Sequence, residues 1–254
     1  MSGFIPLLAK EFLEIRRTWR LWVVPGILAF FAVTGPIMAL LTPRLLASMA
    51  AQQPGVVITV PDPTAVDAYA QFVKGLMQMV LLALIIGGGG LVSGERASGT
   101  AIMVLTKPVS RAAFILSKLV AELALLLVAT MLTTVVTLLV TRALFPPVPA
   151  APLFTAVAIW LVQAGLVVSA MVFFSASFRS RGGAAGAGLA FVMVLLLLSM
   201  WPAAERYSFV GLTAAIANAL RGGGLWWGWP VGTAMVGMVG FAVAAVVVFQ
   251  GKEI

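Results

Sequence analysis

Six runs of roughly twenty apolar residues divide this chain, over 21–41, 69–92, 112–140, 153–176, 184–202 and 230–249. A helix needs about 20 such residues to cross the ~30 Å hydrocarbon core of a bilayer. Inside that core every backbone N–H and C=O must find its partner within the segment or in a closed barrel. A barrel would show short alternating strands, and these runs are continuous. The expected fold class is therefore an all-α polytopic membrane protein with six transmembrane helices. An even number of spans puts both termini on one side.

Composition removes several kinds of chemistry. Only 9% of residues are charged, against about 25% in a soluble domain. The net charge of +8 is expected to reflect basic residues beside a membrane face rather than nucleic-acid binding. With no histidine and no cysteine, imidazole-ligated haem, His or Cys zinc sites, Ser–His pairs and disulfides are all ruled out. No cleavable signal peptide is expected, since the first twenty residues mix both charge signs and lack an apolar core.

Residues 1–20 read as a helix of another kind. Phe4, Leu8, Phe12, Ile15 and Trp19 recur at spacings of four, four, three and four, which places them on one helical face. Lys10, Glu11, Glu14, Arg17 and Arg20 fall largely elsewhere. The pattern fits an amphipathic helix lying in the membrane interface, with Trp19 and Trp22 at headgroup level and the basic residues, Arg16 and Arg17 among them, facing phosphate. The plainer alternative is a basic flank of the first span.

The remainder, 21–250, has two longer links. The loop 42–68 holds Pro54, Pro61 and Pro63 and the only aspartates, Asp62 and Asp67. Two acids five apart can suggest a metal site, but with no further ligand nearby they read as solvated loop residues. Within this loop 43–53 is compatible with a short helix and V-V-I-T-V with a strand or surface segment. The second link, 203–229, carries an apolar helical stretch and the cluster Trp226, Trp227 and Trp229, which suits an interfacial or re-entrant segment with an aromatic belt. With the N-terminus inside, the inner segments hold Lys10, Arg16, Arg17, Arg20, Arg96, Lys107, Arg111, Lys118, Arg179, Arg181 and Lys252. The outer ones hold only Arg44, Lys74, Arg142, Arg206 and Arg221. The positive-inside rule then places both termini in the cytoplasm.

Between the second and third spans lies a polar island, L-V-S-G-E-R-A-S-G-T-A-I-M-V-L-T-K-P-V-S-R. With the two glycines before it, G-G-L-V-S-G-E matches the glycine spacing of a phosphate loop, yet Glu95 and Arg96 stand where Lys and Ser or Thr are required. ATP binding by that loop is excluded. The glycines at 87–90 suit close helix approach or a bend at the helix end. Lys118 and Glu122, four residues apart at the start of the third span, read as a mutually neutralised pair rather than a proton relay. Gln78, Gln163, Ser169 and Asn218 are scattered polar residues of the kind that bond neighbouring helices. A nucleophile with its base, or a deep ionisable group, is not visible. The chain has the build of a translocation pathway whose energy source lies elsewhere.

The island resembles the cytoplasmic segment between the second and third spans of ABC-2-type permeases, the membrane subunits of a class of ABC exporters. The resemblance rests on Ser93, Gly94, Glu95, Arg96, Gly99 and Thr100, then Leu105, Thr106, Lys107, Pro108, Val109, Ser110 and Arg111, followed by Lys118. The N-terminal A-K-E-F-L-E-I-R-R is similar to that family's elbow helix. The resemblance implies an ATPase-coupling contact at 93–111, an interfacial elbow including Phe12, Ile15, Arg16, Arg17 and Trp19, and no catalysis in this chain. It also implies a separate cytosolic ABC ATPase that carries ATP and Mg, a second permease copy or paralogue, and residence in the cytoplasmic membrane. The cargo would be hydrophobic or amphipathic, such as a drug, natural product, lipid or peptide. Within the island, Ile102, Met103, Val104 and Leu105 can anchor apolar contact, and Thr106-Lys107-Pro108 would end the helix. An ATP-independent carrier and a membrane anchor or assembly subunit without transport are the rival readings.

Overall fold

The computed structural model describes residues 3–50, 62–106, 109–146, 149–223 and 228–252. The segment 56–60, Lys107, Pro108, Trp226 and Trp227 lie outside the described residues. Among those described, every regular element is helical. A short helix, α1 (Phe4–Arg17), precedes the first span, α2 (Arg20–Ala50). The second span covers Ala65–Ala97. It comprises α3 (Ala65–Gly75), a π-helical turn Leu76–Val80, α4 (Leu81–Gly88) and, after a turn, α5 (Ser93–Ala97). Helix α6 (Thr100–Leu105) leads to the third span, α7 (Arg111–Leu144), and the fourth, α8 (Ala151–Ser177). The fifth span is α9 (Arg181–Leu198); α10 (Pro202–Tyr207), a 3-10 turn and α11 (Leu212–Leu220) follow, and the sixth is α12 (Gly228–Gln250). Among the described residues, six helices are thus long and apolar enough to cross a membrane.

The boundaries differ from expectation in two places. Helix α2 runs through Pro25, Pro36 and Pro43 to Ala50, so the helical stretch allowed over 43–53 is continuous with the first span, whose apolar part ends at Leu46. Proline removes one N–H donor and crowds the preceding turn, but in a membrane span neighbouring helices and hydroxyls re-satisfy the freed groups. The second departure is the π-turn inside span two, where an extra residue per turn rotates the face that follows. No period in the sequence announces it. At the far end of the same span, Thr64 and Asp67 form a reciprocal capping box: the Asp67 carboxylate accepts the Thr64 N–H at 2.8 Å and Thr64 Oγ1 accepts the Asp67 N–H at 3.4 Å. Asp67 is therefore a helix cap.

Helix α8 is the hub of the bundle. Two thirds of its central window is buried, against 11% for the corresponding windows of α9 and α12, so α8 packs inside while α9 and α12 leave broad apolar faces outward. Trp160, Leu153, Leu166 and Met171 of α8 are fully buried among residues of α4, α7, α11 and α12. Helix α7 lays a stripe of threonines, at 130, 133, 134, 137 and 141, into the interior. Four of their hydroxyls donate back to the carbonyl four residues earlier, at 2.7–2.9 Å, so these polar groups are satisfied by their own helix.

Candidate functional site

The island sits at the end of the bundle that also holds α1, the start of α2 and α7, and the C-termini of α8 and α12. A break in span two creates it. Helix α4 stops at Gly88, and the turn at 89–92 leaves N–H groups without helical acceptors. Ser175 of α8 fills the gap: its hydroxyl accepts from the Val92 and Ser93 N–H groups at 2.9 and 3.0 Å and donates to the Gly89 carbonyl at 2.9 Å. Ser93 adds a bond from its own hydroxyl to Gly89 at 2.7 Å. Helix α9 crosses here so closely that a Cβ on Gly89 would lie 2.7 Å from the Arg181 carbonyl oxygen. The bend and the close helix approach suggested by the glycines at 87–90 occur together at this point.

Glu95 is then directed inward. Lys118 Nζ, fully buried on α7, is 2.7 Å from Glu95 Oε1 and 2.9 Å from Glu11 Oε1 on α1. It also lies over the Phe114 ring, 5.0 Å from its centre. Lys10 contacts Glu95 Oε1 too, and stands 3.0 Å from Glu11 and 2.9 Å from Glu14. One oxygen of Glu95 therefore receives two ammonium groups from two different helices. The three carboxylates of Glu11, Glu14 and Glu95 lie within 4.8 Å of one another, a spacing a metal ion can bridge, but Lys10 already stands in contact with all three. Burial by itself would lower the Lys10 ammonium; the hydrogen bond to Glu95 and the charges of Glu11 and Glu14 outweigh it and hold the group well above its ordinary value. Burial likewise would raise Glu14, but the Lys10 bond and the charges of Lys118 and Arg20 bring its carboxyl below the ordinary 4.5.

The expected Lys118–Glu122 pair is replaced by two longer-range partnerships. Lys118 turns to Glu11 and Glu95, while Glu122 takes Arg20 of α2 at 3.3 Å. The face of α1 also differs from its reading. Its buried line is Leu7, Glu11 and Ile15, with Lys10 and Glu14 beside it. Phe12 and Trp19 are exposed, as are Arg16 and Arg17. The side of this helix that packs on α7 and the island thus combines ion pairs with the buried apolar contacts of Leu7 and Ile15.

The other island residues divide by role. Arg96 donates to the Ala176 carbonyl at 3.4 Å and Lys252 to Ala176 and Ser177, covering the end of α8. Arg111 donates to the carbonyls of Phe249, Gln250 and Lys252 at 3.3, 2.7 and 3.0 Å, covering the end of α12. Cations at helix C-termini meet the negative end of the dipole and the last free carbonyls. Gly94 packs against the Arg181 guanidinium. Gly99, at φ +73°, makes the left-handed turn that separates α5 from α6, and Thr100 bonds Ser98 through their hydroxyls at 2.8 Å. What remains outward is the surface of α6: Ile102 is 50% and Met103 68% exposed, and Thr106 at its end is exposed. Between α6 and α1 lies a hollow of about 620 Å³ lined by Pro6, Leu7, Lys10, Ile102, Met103, Val104, Thr106 and Val109.

Sequence reasoning found Glu95, Arg96, Arg111 and Lys118 but not their connection. It missed Glu11 and Glu14 as binding partners and Ser175 as the seal of the broken span. The i,i+4 spacing of Lys10 and Glu14 was the one available signal for the first; Ser175 carried none.

No curated protein matches the chain. The family model described as "ABC-2 family transporter protein" matches residues 5–217, which takes in α1, the island and the first five spans. The chain belongs to the ABC-2 transporter family and is a multi-pass permease subunit of an ABC transporter.

Proposed function

We propose that this permease works in an ATP-driven exporter, as one of two permease copies or paralogues served by separate cytosolic ATPase subunits that carry ATP and Mg. Both termini and the island face the cytoplasm, α1 lies in the membrane interface as the elbow, and α10 with α11 forms the re-entrant link. The cargo is hydrophobic or amphipathic and leaves through the outer face. The ATPase seats on α6 and in the hollow between α6 and α1.

The observation that carries this reading is the division of the island into an inner and an outer part. Ile102 and Met103 stand out from α6 as apolar anchors of the kind that dominate docking energy. Glu95, seven and eight residues before them, is tied to α1 and to α7. A displacement of α6 is thereby passed to the elbow and to the third span together. Arg111 extends the link to α12. Ion pairs and packed helices with two arrangements are the physical means by which nucleotide binding at one site biases another.

The experiment is mild-detergent purification of the chain from its native membrane, followed by mass spectrometry. A stoichiometric ABC ATPase is expected, and Ile102→Asp with Met103→Asp should release it. Glu95→Gln should retain the ATPase yet uncouple ATP turnover from transport. Recovery of the chain alone, from membranes where complexes survive the detergent, would favour the carrier or anchor reading.

A further inference from the structure

A groove of about 650 Å³ runs between α2 and span two on the outer surface of the bundle. Trp19 stands at its mouth, Leu82 and Gly87 form one wall, and Phe30 with Phe31 closes its inner end. The two phenylalanine rings meet edge-on at 5.3 Å. From Trp19 to Phe30 is eleven residues, about 16 Å of helix. Half of the hydrocarbon core is about 15 Å. The groove is therefore one leaflet deep and is lined only by apolar residues and glycine. The exposed charge next to Trp19 in the chain is basic. Arg16 and Arg17, the last residues of α1, are exposed two and three positions before Trp19. Neither forms an ion pair among the described residues. The nearby acids Glu11, Glu14 and Glu122 are already engaged with Lys10, Lys118 and Arg20.

We infer that this groove is a binding site for one anionic phospholipid of the adjoining leaflet, with an acyl chain between the two spans and the phosphate on Arg16 and Arg17. Depth selects a chain of one leaflet, and the unpartnered guanidinium groups select a negative headgroup, which they can grip through paired N–H donors. The lipid joins the end of α1 to spans one and two. The inference is independent of whether ATP drives the transporter.

Gly26 makes the site testable, because a Cβ added there meets nothing within 4 Å. Gly26→Trp should fill the groove without disturbing the packed core, and Gly26→Leu serves if the larger residue impairs folding. The purified full chain is titrated with phosphatidylglycerol and with phosphatidylcholine of the same acyl chains, and bound lipid is counted by native mass spectrometry. One phosphatidylglycerol should be held in preference to phosphatidylcholine, and Gly26→Trp should lose both. Each basic residue near an anionic lipid contributes about fivefold, so Arg16→Gln with Arg17→Gln should cut the headgroup preference by about 30-fold. That double variant should still hold a chain of either lipid. Equal retention of the two lipids by the native chain overturns the inference. So does a lipid ladder that Gly26→Trp leaves unchanged. A Gly26→Trp variant that alters only the monomer–dimer ratio would instead assign the groove to a second copy.

Discussion

Replacing Lys118 by methionine tests the ionic junction most directly. Methionine keeps most of the length and removes the ammonium, together with its contact over the Phe114 ring. The native group is fully buried and bonds Glu11 and Glu95 at 2.9 and 2.7 Å. Taking one partner from a buried pair costs about 3–5 kcal/mol, because the remaining charge keeps its desolvation penalty without its attraction. Here Lys10 still touches both carboxylates, so the lower end, about 3 kcal/mol, is expected. The loss should fall on the docking of α1, since these ion pairs act beside the buried Leu7 and Ile15 in holding that helix. Hydrogen exchange of the α1 amides in detergent should therefore accelerate by about two orders of magnitude, while amides of α8 are unchanged. Adding Glu95→Gln to Lys118→Met removes the stranded charge and should restore about half of the protection or more. Unchanged exchange in Lys118→Met, or strictly additive losses in the double variant, would refute the argument that these groups act as one buried unit.

Further outcomes follow from neighbouring contacts. Ser175→Ala strands two buried N–H groups at the break in span two and should destabilise the protein by about 2–4 kcal/mol, read by thermal unfolding in detergent; a loss near zero would mean that water or another group seals the turn. Gly89→Ala should cost about 1–3 kcal/mol, because its Cβ meets the α9 backbone, whereas Gly186→Ala, which meets nothing within 4 Å, should be neutral or mildly stabilising. The same unfolding assay separates the two, and equal effects would contradict the close crossing. The docking of α1 should also show a broad pH plateau. Glu14, depressed below 4.5, contributes fully above that value and fades as pH falls through its lowered one. Lys10, raised above 10.5, contributes fully below that value and fades only at higher pH. Exchange of α1 amides, corrected for intrinsic pH dependence, should then be flat between 4.5 and 10.5; a midpoint near neutral pH would contradict this pairing.

Much of the fold was legible because a bilayer imposes a length and a polarity on every segment that crosses it. The six spans, the even topology, the stop of α6 at Leu105 and the short helices after span five all follow from local apolar length, proline and polar interruption. The island was legible for the same reason: polar residues gather where a chain leaves the hydrocarbon. The continuation of α2 to Ala50 was less so, because proline usually argues for a boundary.

Partnership was decided by the tertiary structure. Lys118 and Glu122 are neighbours by helical period, yet each is drawn to a different helix, and Glu95 looks like a surface acid in sequence while its carboxylate lies against α1 and α7. Asp67, an unremarkable loop acid by sequence, caps a helix, and Ser175 gains its role only because the turn at 89–92 faces it. Sequence by itself determined which residues enter the membrane and which sit at its edge, since hydrophobic length and charge are local quantities. Which charges meet, and which surface of the island is left exposed, depends on the rotation and depth at which six helices pack, and those are set by close contacts such as Gly89 against α9 and by the π-turn that rotates span two.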